Sequence, residues 1–96
     1  MKQTDLNRID QLFTYDPQTG EVRHRYTGRP ITTYDTQGGL IAKVNRRAYS
    51  AHKIAWFLSH GEWPTFHLRH RDGNRSNNRI ENLEPVSLKR ANPPVA

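Results

Sequence analysis

The spacing of apolar positions changes several times along the chain, and each change predicts a boundary between secondary-structure elements. Four apolar residues at helical spacing predict a helix over residues 4–13, with Thr4 as its N-cap. An Asp-Pro pair followed by a glycine indicates a turn between two short extended pieces over residues 15–22. Residues 27–39 are rich in turn-forming residues and predict a surface loop or a ragged strand.

The middle of the chain shows first a strand period and then a helical one. Residues 40–51 alternate imperfectly around an Asn-Arg-Arg turn, which predicts a β-hairpin. Residues 52–60 return to helical spacing, and Gly61 stands where a C-terminal cap belongs. This helix is predicted to be the main support of the core. Residues 66–70 then alternate as a strand does.

The last third predicts a second strand and a final helix. An Asp-Gly pair indicates a tight turn, after which residues 77–80 return as a short strand. Pro85 suits the first turn of a helix that Pro93 and Pro94 would terminate.

With 96 residues the chain has room for one domain. The predicted class is α+β, with a small antiparallel hairpin or sheet, supporting helices and a strand–strand–helix unit towards the C-terminus. Residues 1–50 would form an N-terminal helix and hairpin region, residues 51–92 the core helix and the C-terminal unit, and residues 93–96 a frayed tail.

Composition narrows the classes of function. Fifteen Lys and Arg against nine acidic residues favour a polyanionic partner, although a merely solvated basic surface is the alternative. The absence of cysteine excludes disulfides and thiolate zinc sites. No apolar run or signal-like segment is present, so we expect no membrane interaction and a soluble, cytoplasmic protein.

The candidate chemistry is concentrated in residues 68–83, which read LRHRDGNRSNNRIENL. One imidazole and several amides crowd a predicted strand and turn. Polar groups at this density cannot all enter a small core without hydrogen-bond partners. They are therefore solvated, hold the turn, or form a functional site.

The run from His70 to Leu83 resembles the signature of HNH endonucleases of the homing type, which are common in bacteriophages. Residues 51–64 are similar to the helix and loop that precede the site in that family, and residues 13–20 resemble its usual opening. The resemblance extends over residues 12–92. It implies a ββα-metal unit and metal-dependent hydrolysis of double-stranded DNA, in the cytoplasm of a bacterial host.

The resemblance also implies roles for individual residues. His70 would be the general base on the attacking water, and Asn82 would orient it by a hydrogen bond across the strands. A divalent ion, Mg²⁺ or alternatively Mn²⁺, would contact the scissile phosphate. Gly73, Asn77 and Asn78 would fix the turn.

Two positions depart from the family pattern. Many relatives carry Asp or Asn directly before the base, whereas this chain has Arg69, which has no acceptor atom for a metal. The last motif position is matched only by Asn92, directly before a proline. Asp72 and Asn92 are thus the candidate metal ligands.

The remaining histidines and arginines have weaker signals. His52 is predicted to be a packed or capping imidazole, and His67 points to the face of its strand opposite His70. Arginine suits phosphate because its planar fork donates two hydrogen bonds at once. The candidate nucleic-acid contacts are Arg46, Arg47, Arg69, Arg71, Arg75 and Arg79.

Two other functions stay open at this stage. Arg69 could disable the metal site, leaving a module that grips DNA, or a phage or host protein, without cleaving anything. An RNA-directed nuclease is the third possibility, because the motif does not identify the sugar. Target sequence and oligomeric state have no signal in the chain.

Overall fold

The computed structural model describes residues 3–36 and 38–86, which form two helices, one 3-10 turn and three strand pairs. No helix within these ranges is long and apolar enough to cross a membrane. In chain order the elements are α1 (Gln3–Leu12), β1 (Phe13–Asp16), β2 (Glu21–His24), β3 (Ile41–Val44), β4 (Arg47–Ser50), α2 (Ala51–His60), β5 (His67–His70), the 3-10 turn (Ile80–Asn82) and β6 (Leu83–Val86).

The strands pair as three separate antiparallel hairpins, β1–β2, β3–β4 and β5–β6. The α+β class predicted from the sequence is confirmed. In the β3–β4 turn Asn45 and Arg46 have φ values of 52° and 69°. Positive φ at both central residues is the geometry of a two-residue turn that matches the twist of the flanking strands.

Helix α2 occupies the centre of the core, as its apolar spacing predicted. Ile54 has no exposed surface, and Ala51 and Ala55 beside it are at most 1% exposed. Gly61 ends the helix in the left-handed conformation, with φ 82°, and its N–H donates to the carbonyl of Phe57. The buried apolar side chains around α2 come from α1, from the segment between β2 and β3 and from all three hairpins: Ile9, Phe13, Val22, Ile31, Ala42, Val44, Leu68 and Leu83.

A buried carboxylate joins α1 to the β3–β4 hairpin. Asp5 is 3% exposed and accepts hydrogen bonds from the Asn45 amide, at 2.9 Å, and from the Tyr49 hydroxyl. Burying a carboxylate is costly unless its oxygens are bonded in this way. The two hydrogen bonds thus fix how α1 docks on the hairpin.

Four local predictions are corrected by the structure. Thr4 lies within α1 instead of capping it, and Phe13 begins β1 instead of ending the helix. Residues 77–80 are not a strand, because the second strand of the final hairpin is β6. Pro85 lies in β6 opposite Leu68, and within the described part of the chain β6 pairs with β5 alone. Proline is compatible with such an edge strand because its missing N–H can face away from the ladder. The rest of the predicted final helix lies outside the described residues.

We expect Ile54→Ala to lower the free energy of unfolding by about 2–5 kcal/mol, because it leaves a cavity at the centre of the core. Urea denaturation followed by circular dichroism measures this change. Ser59→Ala, an exposed position of the same helix, is the matched control and should change the value by less than about 0.5 kcal/mol. A loss below about 1 kcal/mol in Ile54→Ala would show that α2 is not the centre of the core.

Candidate active site

Strand β5 ends at His70, and a tight turn follows it. His70 pairs with Leu83 at the end of the ladder, and the Arg71 N–H continues the pairing to the Asn82 carbonyl at 2.8 Å. The Gly73 N–H then donates to the carbonyl of His70 at 3.0 Å, with Gly73 at φ 77°. A left-handed residue is needed to reverse the chain here, and glycine adopts that conformation without steric cost. His70 is therefore held at a rigid junction of strand and turn.

The side chain of His70 is oriented by Asn78. Its Nε2 lies 2.7 Å from Asn78 Oδ1, and Asn78 is only 2% exposed. An amide oxygen only accepts hydrogen bonds, so Nε2 of the imidazole must carry the proton. In the neutral ring this leaves Nδ1 as the lone-pair nitrogen, able to take a proton.

Asn82 holds the loop after His70 instead of the imidazole itself. Its Oδ1 accepts from the Asp72 N–H at 3.1 Å, and its Nδ2 donates to Asp72 Oδ1 at 3.0 Å and to the Asn77 carbonyl at 2.9 Å. The expected bond between Asn82 and His70 is thus corrected, and Asn78 makes that contact. Asn82, twelve residues after His70, does lie close to the site. It belongs to the 3-10 turn, however, and its amide points towards the loop.

The Asp72 carboxylate accepts hydrogen bonds from several residues of this loop. Besides Asn82, its carboxylate accepts from the Asn77 side chain at 2.9 Å and the Asn74 N–H at 2.8 Å. Hydrogen bonds from the Asn77 side chain first, then from the Asn74 backbone and Asn82, lower the pKa of Asp72 below its ordinary value. Asn74 Oδ1 in turn accepts from the Ser76 N–H at 3.0 Å. The loop is therefore a closed network of amides around one carboxylate.

The residues that the structure describes do not form a complete metal centre. The Asp72 carboxylate already accepts three hydrogen bonds, and Arg69 on β5 has no acceptor atom. Within residues 3–36 and 38–86 no group of three or more His, Cys, Asp or Glu could hold an ion. Asn92, the other ligand candidate, lies outside the described residues.

Arg69 forms an ion pair across the final hairpin. Its Nη2 and Nε lie 2.5 Å and 3.2 Å from Glu84 Oε1, on the neighbouring strand β6. The hydrogen bond from Arg69 is the main reason that the pKa of Glu84 lies below its ordinary value. The position that precedes His70 is thus filled by a cation whose carboxylate partner is on the neighbouring strand.

A second imidazole packs against His70. The rings of His52, in the first turn of α2, and His70 are 5.2 Å apart and nearly perpendicular, at 79°. The N-cap of the helix is Ser50, so His52 packs and does not cap. Burial, and then the proximity of His70 and Lys53, lowers the pKa of His52 to about 4. His52 is therefore a neutral neighbour of His70 at neutral pH.

An open groove with a volume of about 700 Å³ lies beside His70. Lys53, Arg69 and Arg75 contribute positive charges to its lining, and Asp35 contributes a carboxylate from the loop before β3. His52 is a further lining residue. A cleft with an excess of positive charge attracts polyanions.

Sequence reasoning found some of these groove residues and missed others. Lys53 was missed, although its place directly after His52 on α2 was a usable signal. Asp35 was missed because its loop has no periodicity that could place it. Of the arginines predicted to contact nucleic acid, two line the groove. The other four are exposed elsewhere: Arg46 and Arg47 in the β3–β4 hairpin, Arg71 after β5 and Arg79 before the 3-10 turn.

The sequence and the fold were compared with known proteins. Residues 49–92 match the family model described as HNH endonuclease. A solved structure described as DNA binding and cleavage by the HNH homing endonuclease I-HmuI superposes with a TM-score of 0.61 at 21% identity. The superposition covers 93% of this chain and 54% of that chain, so this chain spans about half its length. No curated protein sequence matches.

These findings confirm the resemblance stated from the sequence. Residues 49–92 carry the sequence pattern of HNH endonucleases, and the described fold is that of an HNH homing endonuclease. The matched segment contains α2, β5, β6 and the loop of residues 71–79 that holds the amide network, called the amide loop below. His70, Asn78 and Asn82 therefore lie in the part of the chain that defines the class.

We expect the free energy of unfolding to fall as the pH is lowered from about 6.5 to about 4. In this range the unfolded His52, with an ordinary pKa near 6.5, binds a proton that the folded His52 does not. Urea denaturation across this range measures the slope.

His52→Gln should remove the His52 contribution to that slope, whereas His60→Gln, at the exposed end of α2, should leave it in place. An NMR titration of His52 with a midpoint near 6.5 would contradict the assignment.

Proposed function

We propose that this protein is a DNA endonuclease of the HNH type in which His70 is the general base. The observation that carries the proposal is the hydrogen bond between His70 Nε2 and Asn78 Oδ1, which leaves Nδ1 as the proton acceptor. The family match over residues 49–92 supports phosphodiester cleavage as the reaction. The I-HmuI structure, whose title states DNA binding and cleavage, supports DNA as the substrate.

In the proposed reaction His70 acts on a water molecule. Nδ1 takes one proton from the water, and the resulting hydroxide oxygen forms a bond to phosphorus. The bond from phosphorus to the leaving sugar oxygen breaks, that oxygen takes up a proton from solvent water, and His70 then releases its proton to solvent. A base fixed by a buried amide does not need to reorient during this step, and such positioning contributes to the rate.

The positive groove supports a phosphate backbone as the bound group. Lys53, Arg69 and Arg75 line the same groove as His70. Contacts of this kind hold double-stranded DNA in position without reading its sequence. Base readout would come from the β3–β4 hairpin, with Arg46 at its tip, or from the loop over residues 27–39.

We infer that cleavage requires a divalent ion, Mg²⁺ in preference to Mn²⁺, because HNH nucleases generally use one. The described residues supply only Asp72 as a ligand candidate, so the role of His70 is argued from its own contacts without reference to the ion. The cleavage assay therefore tests the metal requirement separately from the role of His70. Asn92 and Asp72 are the candidate ligands of the divalent ion.

A second candidate function is DNA binding without cleavage. It is favoured by the ion pair between Arg69 and Glu84, which occupies the position where many relatives carry a ligand. The groove and its charges would still hold a phosphate backbone in that case. The two functions differ in one outcome, which is whether bound DNA is cut.

We expect His70→Ala to lower the rate of supercoiled-plasmid cleavage by about 10²–10⁴, because the general base is lost. Affinity for DNA on a gel shift should stay nearly unchanged, since the arginines and Lys53 are intact. The assay is run with Mg²⁺, with Mn²⁺ and with EDTA. His60→Ala, an exposed imidazole at the end of α2, is the matched control and should cleave like the wild type.

Each outcome has a distinct meaning. Cleavage that needs the metal and His70 supports the endonuclease. Binding without cleavage under every condition favours the second candidate. Equal loss of binding and cleavage in His70→Ala would contradict the assigned role of the base. Cleavage of an RNA duplex but not of DNA would show that the substrate is RNA.

A further inference from the structure

We propose that the β1–β2 hairpin sets the orientation of His70, with Tyr15 as a positioning residue that acts through Asn78. The proposal rests on the proposed function of His70. It adds residues from a segment that precedes the family match, which begins at residue 49. The site would therefore depend on two parts of the chain that are far apart in sequence.

The Tyr15 hydroxyl bonds directly to the loop that holds the site. It donates to the carbonyl oxygen of Asn78 at 2.7 Å, across 63 positions of sequence. The Tyr15 side chain thus holds the peptide unit that follows Asn78. Burial, the largest effect, raises the pKa of Tyr15 above its ordinary value, so the hydroxyl keeps its proton at neutral pH.

Gly20 brings the same hairpin into close contact with this backbone. It is buried and has φ 78°. A Cβ at this position would lie 2.5 Å from the Arg79 nitrogen and 2.8 Å from the Asn78 carbonyl carbon. No side chain could be placed there without moving the loop. The hairpin therefore lies directly against the peptide unit that joins Asn78 to Arg79.

The hairpin is itself anchored in the core. Tyr15 pairs with Val22 in the β1–β2 register, and Val22 is 2% exposed. Phe13, at the start of β1, is 3% exposed. Tyr15 is thus a fixed support and not a mobile surface group.

Asn78 transmits this support to the base. Its backbone carbonyl is held by Tyr15, and its side-chain oxygen holds His70 Nε2. A change in the position of the Asn78 peptide would therefore change the position of the imidazole. A displacement of about 1 Å at a reacting group can cost on the order of 10²-fold in rate.

The test uses Tyr15→Phe in the full chain, because phenylalanine keeps the ring and its packing and removes only the hydroxyl. The first measurement is the solvent exchange rate of the His70 Nε2 proton, observed by NMR in protein with ¹⁵N-labelled histidine. A hydrogen bond to a buried acceptor slows this exchange. We expect exchange at least about tenfold faster in Tyr15→Phe, with single-turnover cleavage about tenfold or more slower and DNA affinity unchanged.

Two controls separate positioning from general stability. Tyr26→Phe removes a hydroxyl from a side chain that is 84% exposed, and it should change neither rate. In an Asn78→Ala background, Tyr15→Phe should have no further effect on cleavage, because the side-chain oxygen that holds His70 is already absent.

Unchanged proton exchange in Tyr15→Phe would overturn the proposal. So would loss of the fold in Tyr15→Phe when Asn78→Ala remains folded, because Tyr15 would then support the whole structure. If the wild type does not cleave DNA, the proposed function fails, but the proton exchange measurement still decides whether Tyr15 positions His70.

Discussion

A hydrogen bond of 2.7 Å joins His70 Nε2 to Asn78 Oδ1, connecting the last residue of β5 to the loop that follows it. Two constraints meet in this contact. The β5–β6 ladder and the Gly73 turn set the backbone of His70, whereas the amide loop sets the position of Asn78. Because the amide oxygen only accepts, the contact also fixes which imidazole nitrogen carries the proton. The chemical role proposed for the site follows from this one bond.

A chain of this size has little apolar material with which to hold such a loop. The loop is held instead by polar contacts around Asp72, whose backbone N–H donates to the Asn82 side chain and whose carboxylate accepts from it. Buried amides contribute to a unique structure only when their partners are present, which is the case for Asn78 and Asn82. Tyr15, which lies far away in sequence, donates to the main-chain carbonyl of Asn78. The local motif and the distant hairpin are thus one unit.

The sequence predicted the parts of this protein that depend on local spacing. The helix α2, its glycine cap and the β3–β4 hairpin have clear periods and turn residues. Pro85 was misplaced because proline is compatible both with the first turn of a helix and with an edge strand, and only the pairing with Leu68 separates the two. The motif located His70, but it assigned the orienting amide to Asn82. Several amides lie within a few residues of one another, and the direction of each depends on the loop conformation. The contact of His52 with His70 and the support from Tyr15 are long-range and have no local signal.

The most direct test of the account is single-turnover cleavage of a DNA duplex by Asn78→Ala, with affinity measured in parallel by gel shift. The account predicts a rate about 10²-fold below the wild type with affinity retained, because the imidazole loses its orienting partner while the groove keeps its charges. Asn7→Ala, which removes an exposed amide on α1, provides the matched control and should cleave at the wild-type rate. Cleavage by Asn78→Ala at the wild-type rate would contradict the account, because His70 would then not need the bond on which the site is built.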